Sequence, residues 1–288
     1  MAYSIEERGA RYTADYSVYF KNAEGRYISP FHDIPTFADE ANGIVNMVCE
    51  VPRWTNAKME ISKENPLNPI RQDTKKGKMR FVDNCFPHHG YIWNYGAIPQ
   101  TWENPDETDT HTGEKGDNDP IDICDLGSRV AAIGEVKQVK VLGVLAMIDD
   151  GETDWKVLGI DINDPEADKL KDVEDIEKVM GGYLAATVEW FRIYKIPAGK
   201  PENKFAFNSE AKGRDFALSI IKETREQWQK LHSGEATNSK VCVKSAIGGV
   251  DVITAEEAAE VVAASPAPAP AAPIDASVDK WHYVNLGN

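Results

Sequence analysis

Through the first 165 residues, apolar and polar positions recur mainly with the two-residue period of a strand; beyond that point the period becomes helical. Residues 1–15 read as an irregular or edge segment, residues 15–20 as a first strand, and 22–25 as its turn. Residues 44–51 form a clear strand, with Val48 and Glu50 on one face, Cys49 and Val51 on the other, and Pro52 at its end. Residues 57–62 alternate strictly: Met59 and Ile61 point one way, Lys58 and Glu60 the other. A half-buried strand with a solvated face explains that pattern, and so does a lysine and a carboxylate turned toward a polar site. Tyr91, Trp93 and Tyr95 line one face of an aromatic strand broken by Gly96 and Pro99. Such a stripe is usually core, but the hydroxyls of Tyr91 and Tyr95 leave room for ligand contact.

Ile121 and Ile123 start a further strand, continued by residues 130–133. Residues 136–148 and 155–162 are apolar strands joined by a hairpin that turns around Asp150-Gly151. With a loop over 150–153, Asp149 and Asp154 would face each other across its mouth, an arrangement that destabilises a sheet unless a cation intervenes. Lys156 shares the face of Asp154.

Residues 173–180 and 183–194 fit helices, the second carrying Leu184, Val188 and Phe191 on one stripe and leaving Tyr194-Lys195 near its end. Ser209 is placed to cap a long helix over about 210–232, with Phe216, Ile220, Ile221, Trp228 and Leu231 inward and Gly234 past its end. The pattern weakens over 235–262, and the alanine-proline tract 264–273 reads as an extended connector. The aromatic end, Trp281-His282-Tyr283-Val284, is expected to dock back on the body. Strands followed by helices predict an α+β fold, with residues 1–235 as the main domain and 236–288 as an extension.

Composition narrows the class. The chain has 288 residues, 42% of them apolar, and no run long enough for a membrane-spanning helix. Its N-terminus lacks the plan of a secretory signal, and Glu6, Glu7 and Asp15 oppose a mitochondrial presequence, so a cytoplasmic protein without a membrane partner is expected. Cys49, Cys85, Cys124 and Cys242 are widely spaced, which predicts free and mostly buried thiols. With 47 acidic against 32 basic residues the formal charge is −15, which opposes nucleic-acid binding. The only dense basic run, Lys75, Lys76, Lys78 and Arg80, is a small exception.

The sharpest chemical feature is Gly116-Asp117-Asn118-Asp119-Pro120-Ile121-Asp122-Ile123, three aspartates with no basic residue among them. Two like charges about 4 Å apart cost roughly 4 kcal/mol at an effective dielectric near 20. The cluster either splays into water or holds a multivalent cation. It is not a calcium loop, because Ile121 and Asp122 stand where an EF-hand needs a ligand and a glycine. The phosphate-cradling and dinucleotide-binding glycine motifs are absent, as are the zinc-protease helix and the serine-hydrolase elbow. What remains is carboxylates at Glu50, Glu60, Asp117, Asp119, Asp122, Asp149 and Asp154, interleaved with Lys58, Arg80, Lys156 and Lys195. Carboxylates suit Mg2+, and lysine, arginine and tyrosine suit phosphate oxygens. Together they point to metal-assisted phosphoryl chemistry.

The aspartate stretch also resembles the pattern of family I soluble inorganic pyrophosphatases of the fungal and animal type. So do Pro52-Arg53-Trp54-Thr55-Asn56-Ala57-Lys58-Met59-Glu60, Asn84-Cys85-Phe86-Pro87-His88-His89-Gly90-Tyr91, Asn94-Tyr95-Gly96, Asp150-Gly151-Glu152-Thr153-Asp154-Trp155-Lys156 and Trp190-Phe191-Arg192-Ile193-Tyr194-Lys195. The similarity runs from about residue 16 to 232, which makes residues 1–235 the catalytic domain.

The resemblance implies a small closed OB-like β-barrel with packed C-terminal helices, a homodimer, and hydrolysis of diphosphate to two phosphates by a metal-activated water. It places several Mg2+ ions on Asp117, Asp122, Asp149 and Asp154, with Glu60 acting through bound water and Glu50 in support. Asp119 matches the carboxylate that deprotonates the attacking water. Lys58, Arg80, Tyr95, Lys156, Tyr194 and Lys195 match phosphate binders, and Tyr91 an active-site hydroxyl. Two alternatives remain: a metal-dependent hydrolase of nucleotides or polyphosphate, and an OB-like barrel that stacks single-stranded nucleic acid on Tyr91, Trp93 and Tyr95. Net charge opposes the second.

Overall fold

The computed structural model describes residues 3–285. Five strands are paired in a ring. Ile44–Val51 runs antiparallel to Asn94–Ala97, which runs antiparallel to Asp122–Asp125. Asp122–Asp125 lies parallel to Glu152–Asp161, the return arm of a long hairpin with Val136–Asp149. The circuit returns where Val136–Asp149 pairs antiparallel with Ile44–Val51. A second sheet orders Ser4–Arg8, Ser17–Lys21, Ile70–Gln72 and Met59–Ile61 as neighbours. With the helices gathered after residue 172, the architecture is α+β.

Residues of the ring strands feed two apolar clusters largely by alternation, but at the register shift beside Tyr95 and Gly96 Val51 joins the cluster of Val48 and not, as its spacing predicts, that of Cys49. Val48, Val51, Leu145 and Leu158 join Trp190 and Phe191 of the helix Tyr183–Ile193. Met47, Cys49, Ile123 and Val157 join Ile220 and Ile221 of the helix Arg214–Ser233. Both faces of the ring strands are therefore covered, which is why they read as nearly continuous apolar runs.

Several details differ from the sequence expectation. Gly96 stands inside the strand Asn94–Ala97 and does not break it; a Cβ there would collide with the Val48 carbonyl, so glycine permits the close approach. Tyr91 and Trp93 precede that strand. Residues 130–133 do not extend Asp122–Asp125. The hairpin turn is two residues long, Asp150 and Gly151, at φ 52° and 90°. Asp149 is therefore opposite Glu152, and Asp154 is opposite Met147. Asp149 and Asp154 share a face but sit diagonally. The helix Arg214–Ser233 is preceded by Gly213 and not capped by Ser209, because residues 212–213 are drawn into pairing with Val136–Asp149. Gly234 ends it in the left-handed conformation, as expected.

Residues 235–262, weak in pattern, hold all but the last residue of the helix Ala255–Ala263, whose Thr254 and Glu257 form a reciprocal capping box. The alanine-proline tract lies along the N-terminal segment: Gly9 N–H donates to Pro266, and Ala269 and Ala272 donate to Gly9 and Arg11. Trp281–His282 pairs in parallel with Asn84–Cys85, and the Trp281 ring meets Phe86 edge-on at 5.6 Å. All four cysteines are free; three are buried and Cys242 is partly so. Among the described residues no helix is long and apolar enough to cross a membrane.

Candidate active site

A cavity of about 100 Å³ is lined by Lys58, Arg80, Tyr91, Tyr95, Asp117, Asp119, Asp122, Asp149, Asp154, Lys156, Trp190, Phe191, Tyr194 and Lys195. Beside it a smaller space is lined by Glu50 and Glu60, with Lys58, Tyr95, Asp119 and Asp122 common to both. All the site residues singled out in the sequence thus converge, from segments as distant as residues 50 and 195.

Aromatic packing carries the helix end into place. The Trp93 ring stacks on Phe191 at 4.6 Å, and its indole N–H donates to Thr187 Oγ1 at 2.8 Å. Trp190 donates to the Gly90 carbonyl at 2.8 Å and stacks on Tyr194 at 4.7 Å. The aromatic stripe therefore serves twice, as core and as the fixture that presents Tyr194 and Lys195. On the opposite side Asn118, at φ 73°, turns the aspartate loop. Asn118 N–H donates to the Glu103 carbonyl at 2.9 Å, Glu103 N–H donates to that of Asp119 at 2.8 Å, and Asp119 N–H donates to Asp117 Oδ1 at 2.9 Å.

Charges interleave across the cavity. Lys156 Nζ lies 2.5 Å from Asp122, also pairs with Asp154, and donates to the Tyr95 hydroxyl at 2.9 Å. Tyr95 donates in turn to Asp122 at 2.5 Å. Lys195 pairs with Asp149, Lys58 with Glu60, and Arg80 with Asp73 at 2.8 Å. Burial opposes the charge on Lys156, but Asp122 and Asp154 outweigh it and hold its pKa well above the usual lysine range.

The carboxylates show the opposite strain. Burial, reinforced by the Asp119 charge, pushes Asp117 well above the usual carboxylate range. Burial, opposed by Lys156, raises Asp154 to about 7. Burial and then Asp122 push Glu50 up as well. Oxygen atoms of Glu103, Asp117 and Asp154 lie within 4.8 Å of one another, and buried Glu103 Oε2 has no hydrogen-bond partner. An all-oxygen donor set with an orphaned acceptor fits a hard divalent cation.

The comparisons with known proteins agree with this chemistry. The family model described as inorganic pyrophosphatase matches residues 47–229. The chain belongs to the family I inorganic pyrophosphatases. It is 57% identical to the inorganic pyrophosphatase of Candida albicans over 99% of this chain and 98% of that one. It is 54% identical to that of Mus musculus, over 98% of each. The structure superposes on inorganic pyrophosphatase from Schistosoma japonicum with a TM-score of 0.92 at 47% identity, covering 98% of this chain and all of the other. A truncated vacuolar soluble pyrophosphatase of Trypanosoma cruzi, in complex with PPi, aligns with a TM-score of 0.74 at 45% identity over 80% of this chain and 91% of that one. The chain is accordingly an enzyme that hydrolyses inorganic diphosphate.

Three residues at this site escaped the sequence reading. Glu103 lies in the polar loop ahead of the aspartates and joins them only through folding. Lys63 reaches Asp119 at 2.5 Å, and Asp73 sits between Arg80 and Lys58, the latter 3.6 Å away. Lys63 continues the segment of Lys58 and Glu60, a usable hint; no local pattern marks Asp73 or Glu103.

Proposed function

We propose that this enzyme hydrolyses inorganic diphosphate to two phosphates in a Mg2+-dependent reaction, by direct attack of water. The observation that carries this reading is a cavity in which carboxylates face lysine, arginine and tyrosine side chains. Asp117, Asp122, Asp149 and Asp154 would hold Mg2+, with Glu60 acting through water and Glu50 supporting. Bound Mg2+ supplies Lewis-acid polarisation of phosphoryl oxygens and makes water more acidic.

Asp119 accepts a proton from the attacking water as general base. The water oxygen forms a bond to one phosphorus while the bond from that phosphorus to the bridging oxygen breaks. The bridging oxygen leaves with the second phosphate. Lys58, Arg80, Lys156 and Lys195, with the hydroxyls of Tyr95 and Tyr194, bind the phosphate oxygens and offset charge on the leaving group. Tyr91 places a further hydroxyl beside them. Cations and hydroxyls of this kind cost little reorganisation during the reaction because they already line the cavity.

We read the strand ring as a small OB-like barrel, residues 1–235 as the catalytic domain and 236–288 as an extension; residues 1–2 and 286–288 lie outside the described residues. We place the enzyme in the cytoplasm; a homodimer is supported by the family resemblance. Phosphate release should be measured from diphosphate and from ATP, with Mg2+ and with EDTA. Release from diphosphate only with Mg2+ is the expected result; preference for ATP, or release that survives EDTA, would overturn the reading.

A further inference from the structure

One short stretch of the C-terminal segment reaches both neighbours of Asp119. On one side is Asn118, whose Oδ1 accepts the indole N–H of buried Trp102 at 2.9 Å and the side-chain amide N–H of Asn238 at 3.0 Å. An amide oxygen has two acceptor sites, so both are filled. On the other side is Lys63, whose ammonium group lies 2.5 Å from Asp119 Oδ1. The Lys63 carbonyl accepts the Cys242 N–H at 2.7 Å. Buried Asn68 binds the carbonyls of Lys63 and Cys242 together, at 3.1 and 3.2 Å. Residues 238 and 242 thus grip the two groups that flank the Asp119 carboxylate.

We propose that Asn238 is a positioning residue for Asp119, acting through Asn118. The inference rests on Asp119 being the general base. Asn118 holds a left-handed backbone, which a non-glycine residue adopts at a steric cost. Rotation of its peptide would swing Asp117 and Asp119 together, because Asp119 N–H is bonded to the Asp117 carboxylate. Main-chain bonds to Glu103 already fix the loop's path. The two side-chain donors on Asn118 Oδ1 add control over its tilt, one from the body and one from the extension. Reactive groups displaced by about 1 Å can lose about 100-fold in rate, so a half-exposed asparagine far along the chain can govern turnover.

The test measures phosphate release from diphosphate at saturating Mg2+ by the full chain and by Asn238→Ala, Asn118→Gly, their combination and Asp119→Asn. Glycine at 118 keeps the positive φ while removing the acceptor. Asn238→Ala should lower kcat roughly three- to tenfold with KM for diphosphate changed less than about twofold. The combined variant should be no slower than Asn118→Gly alone, since the two changes break one interaction. Unchanged kcat in Asn238→Ala, or multiplied losses in the combination, overturns the proposal. So does a loss of kcat that only matches a loss of folded protein, followed by circular dichroism at the assay temperature. Near-normal turnover in Asp119→Asn would instead remove the base assignment itself; a slow Asp119→Asn beside an unaffected Asn238→Ala removes the positioning role alone.

Discussion

His32 Nδ1 accepts the indole N–H of Trp228 at 2.9 Å, and its Nε2 meets the Cys242 carbonyl at 3.0 Å. An indole can only donate, and a carbonyl can only accept, so the ring must be the neutral Nε2–H tautomer. Burial lowers the His32 pKa from 6.5 to about 3, with the nearby His232 pushing the same way against the Cys242 carbonyl. The unfolded chain therefore binds more protons than the folded one below about 6.5, and stability falls as pH drops from there toward about 3. The effect is on the order of 5 kcal/mol at its limit. Thermal melts of wild type and His32→Gln between pH 7 and 4 should diverge, the variant losing less stability in acid. Parallel curves would show that His32 does not drive acid unfolding.

Glu103 offers a second measurement. Burial, then the Asp117 charge, pushes its carboxyl well above the usual range, so without divalent cations glutamine is a close substitute for the protonated acid. Glu103→Gln should leave the melting temperature nearly unchanged in EDTA. It should weaken Mg2+ binding about tenfold, the size of effect expected from a group supporting metal ligands. A titration of melting temperature against Mg2+ reads this directly, because binding to the folded state alone adds stability with concentration. Equal Mg2+ titrations for both proteins would separate Glu103 from the cation site.

A structural ion pair behaves differently. Lys137 Nζ lies 2.6 Å from Asp125 and 2.8 Å from Asp161, with all three side chains nearly inaccessible. Lys137→Met leaves buried Asp125 without its cation and Asp161 with only Arg129 at 3.3 Å, which should cost about 3–5 kcal/mol. Lys137 does not line the catalytic cavity, so kcat and KM at a temperature where the variant is folded should match wild type. A large KM change would tie this pair to the site.

Much of the fold was legible because period and punctuation agree along the chain. The strand Ile44–Val51 and the helix Tyr183–Ile193 follow their apolar spacing. Asp150-Gly151 marks the hairpin, but composition could not distinguish a two-residue turn from a four-residue one, and that difference decides which residue stands opposite Asp149. Gly96 misled for a tertiary reason: what it accommodates is the Val48 backbone, 48 residues upstream. Ser209 was displaced as a cap by a strand pairing that local propensity does not encode. The helix at Ala255–Ala263 did carry a capping box in Thr254 and Glu257, but it is only nine residues long, too short for its apolar spacing to stand out.

The site was legible in its charged residues and hidden in its supports. Asp117, Asp119 and Asp122 fall within six positions of the chain, and Lys58 with Glu60 declare themselves by alternation. Glu103, Lys63 and Asn238 act only through contacts that the fold creates. Ring closure is likewise a long-range property, since Val136–Asp149 must pair with both its hairpin partner and a strand nearly a hundred residues earlier.

Phosphate release from diphosphate by Asp119→Asn, at saturating Mg2+ and neutral pH, tests the central claim most directly. The variant should fold, gain stability from Mg2+ as the wild type does, and turn over about 10²–10⁴ times more slowly, the contribution of a positioned general base. Near-normal turnover by that protein would contradict the account.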